Sequence, residues 1–158
     1  MGKNKRVFRK EKNPLPPLPV EIVEYYNNGE YDLYVAPSIL KDAGMGLFTR
    51  EEIEKDTIIG YYSGEIKSVD SMPYHHAYRF ELNERYYIDG YLNPRCMMAM
   101  INDSRFSLND HNCDFHLNYN PETISPNAFH DQLVSIITLR YISPNEELFI
   151  DYGPDYWR

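Results

Sequence analysis

The feature that most constrains this chain is the lack of a long helical period. No long stretch of its 158 residues carries the apolar i, i+3, i+4, i+7 spacing of an amphipathic helix. Short β-type runs recur instead, at residues 21–25, 31–36, 57–62, 86–89 and 134–142, most of them bounded by Gly, Pro or Asn. Tyr78, Phe80 and Leu82 alternate as one half-buried strand would. The segment 96–101, Cys-Met-Met-Ala-Met-Ile, reads as a single apolar helical turn, with methionines suited to filling irregular space. Asn27-Asn28-Gly29 carries a hairpin signal between the first two runs. Short strands at close spacing predict a mainly β fold with short helices, built from small sheets packed around one another.

Composition sets the organisation. With 42% hydrophobic and 15% aromatic residues, the chain supports one globular domain, expected over residues 21–158. Residues 1–20 are expected to form a disordered basic and proline-rich tail. Lys3, Lys5, Arg6, Arg9, Lys10 and Lys12 stand there against Glu11 alone, and Pro14-Leu15-Pro16-Pro17-Leu18-Pro19 favours a polyproline II spacer. The first twelve residues therefore carry +5, and the rest of the −8 chain carries −13. An acidic body disfavours nucleic acid as its ligand, leaving that role only to the basic arm, and it suits a Lys/Arg-rich peptide. Two cysteines and no long apolar run point to a reducing, intracellular setting without membrane contact. The nucleus is one compartment the basic arm allows.

Three stretches hold the candidate chemistry. In Ala43-Gly44-Met45-Gly46-Leu47-Phe48, paired glycines let backbone groups converge on a ligand without a Cβ in the way. It is not a dinucleotide fingerprint, because neither a third glycine nor a helix start follows. Asn102-Asp103-Ser104 precedes Asn112-Cys113. At the end of the chain, Glu146-Glu147-Leu148-Phe149-Ile150-Asp151-Tyr152-Gly153 is a short buried strand that delivers a tyrosine to its exit. By itself Tyr152 reads first as a core residue whose hydroxyl bonds to backbone. His111, Cys113 and His116 raise the question of zinc. A closed site needs four ligands, and packing is the expected role, with no metal.

In this order, with Tyr62-Ser63-Gly64-Glu65 between the first two, these motifs resemble the SET-domain protein lysine methyltransferases. The similarity runs from about Tyr31 to Trp157. It implies the SET fold, in which a C-terminal segment threads under an earlier loop as a pseudoknot. It also implies S-adenosylmethionine as cofactor, with Gly44, Met45, Gly46, Tyr62, Asn102, Asp103, Tyr152 and Trp157 as binding residues. Tyr152 would be the catalytic tyrosine, and Tyr62, Tyr78 and Ile150 would wall a substrate channel. The implied partner is a lysine-bearing protein, histone tails being the family's commonest targets, which would place the protein on chromatin. The sequence departs from the family at Asp103, where His is usual, in lacking a cysteine after Ser104, and in a longer loop before Asn112. These departures keep open a second expectation, an inactive SET-like module that binds peptides or partners. Ile150 stands where the family commonly has Phe or Tyr. Without a hydroxyl to hold a water there, di- or trimethylated product is expected.

Overall fold

A computed structural model of the chain describes residues 6–7, 23–71, 78–104, 110–126 and 132–152. Strand and short 3-10 turns account for its regular structure, with strands of two to five residues. The strands are β1 (Arg6–Val7), β2 (Tyr25–Tyr26), β3 (Leu33–Pro37), β4 (Met45–Thr49), β5 (Ile58–Tyr61), β6 (Glu65–Ser68), β7 (Arg79–Glu81), β8 (Tyr86–Asp89), β9 (Arg95–Cys96), β10 (Asn102–Asp103), β11 (Cys113–Leu117), β12 (Val134–Thr138) and β13 (Phe149–Ile150). They form a four-stranded sheet in the order β1-β7-β8-β6 and a three-stranded sheet β11-β12-β5. Three two-stranded pairs complete the set, β3-β4, β2-β9 and β10-β13. This is the mainly β, small-sheet architecture expected from the spacing of the runs. The helical turn expected at 96–101 is the 3-10 turn Met97–Met100. Among the described residues no helix is long and apolar enough to cross a membrane.

Two expectations change. The Asn27–Gly29 turn does not close a hairpin: β2 pairs in parallel with β9, and β3 pairs with β4. The reason is that the turn is spent on β5. Asn28 Oδ1 accepts from the Tyr61 N–H at 2.9 Å, its amide donates to Tyr61 O and Ser63 Oγ at 2.8 Å, and a Cβ on Gly29 would run into the Ile59 carbonyl. The second change concerns the tail: its residues Arg6–Val7 pair antiparallel with β7, so at these two positions it is part of a sheet.

Two buried clusters fill the interior. Leu33, Leu47, Ile53, Ile59, Met98, Ile136, Leu148, Ile150 and Tyr152 belong to one; Tyr62, Ile66, Phe80, Leu82, Ile88 and Val134 belong to the other. Tyr78 and Phe115 pack against both. The end of the chain is gripped from two sides. Residues 145–148 run along β4, with the Leu148 N–H on Leu47 O at 2.8 Å and the Asn145 N–H on Thr49 O at 2.6 Å. Residues 149–150 then pair in parallel with β10, Phe149 opposite Asn102 and Ile150 opposite Asp103. Asn112 brackets that strand. Its Oδ1 accepts the Phe149 N–H at 2.8 Å, its own N–H reaches Phe149 O at 3.1 Å, and its amide reaches Glu147 O at 2.9 Å.

Candidate active site

The crossing of the closing strand with β4 and β10 gathers the residues that carry the three motifs. At its centre lies Glu147, 2% exposed, with a carboxylate that accepts from three directions. Ser38 Oγ donates to Oε1 at 2.7 Å, the Ile39 N–H to Oε2 at 2.9 Å, and Asn102 Nδ2 to Oε1 at 3.3 Å. A buried carboxylate is tolerated only when its lone pairs are met in this way. Gly46 explains the closeness of the approach, since a Cβ there would run into Glu147 Oε1. The loop between β3 and β4 closes through the Ser38 N–H on Gly44 O at 2.8 Å, and Gly44 itself has φ +72, which a side chain would strain. Met45, the first residue of β4, is exposed, and its carbonyl accepts the other Asn102 amide hydrogen at 3.0 Å.

Asn102 is thereby oriented. Both groups facing its amide nitrogen are acceptors, so Oδ1 is the atom left over, and it makes no hydrogen bond among the described residues. An atom that can only accept, backed by a buried carboxylate, suits a cationic ammonium and repels a carboxylate. Asp103, the next residue, is 5% exposed, and its Oδ2 accepts the Tyr152 N–H at 3.2 Å. The carboxylate in the usual histidine position thus holds the backbone of the tyrosine. Tyr152 is 4% exposed and donates its hydroxyl hydrogen to Ile101 O at 2.6 Å, the carbonyl of the residue just before Asn102.

The expected channel residues are divided between the two clusters. Tyr62 and Ile150 are fully buried, Tyr62 in the second cluster and Ile150 in the first beside Tyr152. Tyr78 touches both clusters and so lies between them. Its φ of +60 is a left-handed conformation that costs a tyrosine about 1–3 kcal/mol. The Gly90 N–H donates to Tyr78 O at 2.8 Å, and a Cβ on Gly90 would sit 2.5 Å from Tyr62 Oη. The ring of Tyr78 stacks on Tyr91 at 6.1 Å, and the buried Arg95 guanidinium lies 4.6 Å and 4.9 Å from the two ring centres. Trp157 lies outside the described residues.

A family model for the SET domain matches residues 44–153, well over half of the chain. The chain belongs to the SET-domain family. Among solved structures, that of a Plasmodium falciparum candidate histone methyltransferase superposes with a TM-score of 0.58 at 20% identity, covering 82% of this chain and 99% of that one. That likeness supports the SET fold. No curated protein matches the sequence. SET-domain proteins are generally S-adenosylmethionine-dependent methyltransferases, and the donor set here fits that cofactor's methionine part. The loop offers open space at Gly44, and Asn102 Oδ1 with Glu147 behind it offers a cation site.

Nothing local in the sequence marks Ser38, Ile39 or Arg95 as neighbours of the site. A serine and a backbone N–H before a glycine loop carry no signal of their partner, 109 and 108 residues away. Of the suspected metal trio, Cys113 is buried in the core while His116 is exposed on the same strand. Burial pushes the thiols of Cys113 and Cys96 up, away from the thiolate that zinc requires.

Proposed function

We propose that this SET-domain protein transfers a methyl group from S-adenosylmethionine to the ε-amine of a lysine in a Lys/Arg-rich protein segment, histone tails among them. The observation that carries the reading is the pairing of Asn102 with Tyr152. An amide with only its acceptor left for a ligand stands next in sequence to the carbonyl that orients a buried tyrosine hydroxyl. The cofactor supplies an activated methyl on a sulfonium. Everything else is positioning by the chain, because in-line displacement asks for alignment rather than a strong acid or base. Asn102 Oδ1 would accept from the α-ammonium. Tyr152, its hydrogen committed to Ile101 O, presents phenolic lone pairs to the reacting centre. A free lysine has a pKa of about 10.4, so the attacking amine must lose its proton before transfer. Were Tyr78, which packs against the cluster holding Tyr152, to wall the lysine channel, an aromatic lining there would disfavour the ammonium form. A histone substrate would make the protein nuclear.

The test is calorimetric titration with S-adenosylmethionine, followed by transfer of labelled methyl to histones and to a lysine peptide array. Stoichiometric binding with transfer supports the reading. Cofactor binding without transfer to any lysine, or no binding at all, makes the chain a SET-like partner-binding module instead.

A further inference from the structure

The body beyond the first twelve residues carries −13, and an acidic surround holds a lysine in its ammonium form, which cannot attack a methyl group. One buried cation stands against that trend. Arg95 in β9 is 8% exposed, and its guanidinium lies 4.6 Å from the ring centre of Tyr78 and 4.9 Å from that of Tyr91. One terminal nitrogen donates to Met100 Sδ at 3.9 Å and the other to Tyr91 O at 3.4 Å, while Nε is buried without an acceptor. Among the described residues no carboxylate pairs with it. The carboxylates on the neighbouring segments are exposed or engaged: Glu24 faces solvent, Glu81 pairs with Arg79, and Asp89 takes Lys67 and the Tyr91 N–H. The other titratable groups around it are the phenols of Tyr78 and Tyr91, Tyr25 opposite it in the β2–β9 pair, and the Cys96 thiol, which burial pushes up. A guanidinium withdrawn from water costs a great deal unless a counter-ion or ring faces compensate, and here the rings alone do so. Its charge is left unneutralised.

This cation is tied to the candidate reacting centre by three links. Arg95 touches Met100, Met100 is bonded to Ile101, and Ile101 O accepts the Tyr152 hydroxyl at 2.6 Å. On its other side lies Tyr78, which packs against the cluster holding Tyr152 and keeps a left-handed φ of +60. Such a conformation persists only where neighbours over-determine it. The guanidinium on the ring and the Gly90 N–H on Tyr78 O are two of those neighbours.

We propose that Arg95 is a positioning residue of the lysine channel: it clamps Tyr78 as a wall and, as a cation without a counter-ion, admits the substrate amine in its neutral form. The inference rests on the methyltransferase reading and on Tyr78 lining the path to Tyr152. The proton that the lysine gives up passes to solvent before the amine attacks, and Arg95 stays protonated throughout.

The experiment measures single-turnover methyl transfer from S-adenosylmethionine to a lysine peptide by the full chain, from neutral pH into alkali. The wild-type rate should rise with pH along a limb centred below the free-lysine value of about 10.4. Arg95→Met should move that limb up by about one pH unit, so that transfer falls about tenfold near neutrality and the deficit closes in alkali. Arg95→Lys keeps the charge and should keep the limb. Tyr91→Glu, at a residue 39% exposed, supplies the missing counter-ion without removing Arg95 and should move the limb as Arg95→Met does. A failure of Arg95→Met to fold therefore leaves the test intact. A structural role alone would lower the rate equally at every pH, and that result overturns the inference. So does an unmoved limb in Tyr91→Glu, a limb moved as far by Arg95→Lys as by Arg95→Met, or a wild-type limb at or above about 10.4. In each of these cases the wild type still transfers methyl, and the proposed function stands. Absence of transfer from the wild type to any lysine peptide overturns the inference together with the methyltransferase reading.

Discussion

The Tyr152 hydroxyl, donating to Ile101 O at 2.6 Å, has one structural and one chemical consequence. Tyr152→Phe deletes a single buried donor and keeps the ring packed. Unfolding free energy should fall by about 1 kcal/mol, cofactor affinity should hold, and transfer should drop about a hundredfold. Denaturant unfolding, calorimetry and labelled-methyl transfer read the three separately, and unchanged turnover would move the reacting centre elsewhere. Ile150, fully buried two residues earlier and opposite Asp103, sets a second expectation. An apolar side chain gives a water no partner there, so a methylated amine can turn and react again. Mass spectrometry at exhaustive turnover should show di- or trimethyl-lysine, shifted towards monomethyl in Ile150→Tyr. Wild-type product that stops at one methyl group under excess cofactor would sink the idea.

The closing strand is an element whose stability comes from polar contacts as much as from burial. Glu147 ties it to the β3–β4 loop and to β10, so Glu147→Ala leaves Ser38 Oγ, the Ile39 N–H and an Asn102 hydrogen without their acceptor. The variant should lose about 3 kcal/mol in urea unfolding and bind S-adenosylmethionine more weakly, because Asn102 loses the group that orients it. Wild-type affinity in a stably folded variant would show that Glu147 does not serve the site. The turn before this strand should respond to pH. Burial alone would raise the Glu146 carboxyl, but the Arg140 guanidinium, the Ser143 N–H and the Asn112 amide hold it below the usual range. A depressed folded-state value means that its stabilisation is present above the unfolded value of about 4.3 and disappears as pH falls through the folded one. The stability gap between wild type and Glu146→Gln should therefore be open at neutral pH and close in acid. Urea midpoints from pH 7 to pH 3 measure it, and a gap independent of pH would refute the assignment.

At the scale of the molecule, charge and topology divide the work. A body of −13 should draw Lys/Arg-rich peptides by long-range attraction, which salt screens over about 10 Å at 0.1 M. KM for such a peptide should rise with ionic strength while kcat holds, and an equal effect on a neutral lysine peptide would argue against steering. What was legible in the sequence is what short-range physics writes there. Period and breakers announced short strands and small sheets, and the Gly44–Gly46 loop, Asn102 and the strand leading to Tyr152 stood out as candidates because each motif is local. Local signals failed where a residue's partner is distant. Asn27-Asn28-Gly29 has hairpin chemistry, yet Asn28 satisfies its amide on Tyr61 and Ser63, and that sends the chain elsewhere. The basic arm lacks the apolar residues to enter a core, yet Arg6–Val7 joins a sheet, because backbone pairing at an edge needs no apolar side chain. The sequence by itself determined the class of fold and the candidates for chemistry, since both follow from side-chain type and spacing. Only the tertiary structure decided that Glu147 backs Asn102, that Asp103 holds Tyr152, and that Tyr78 lies between the two cores. Those contacts join residues distant along the chain, and no periodicity or propensity encodes which distant pairs meet.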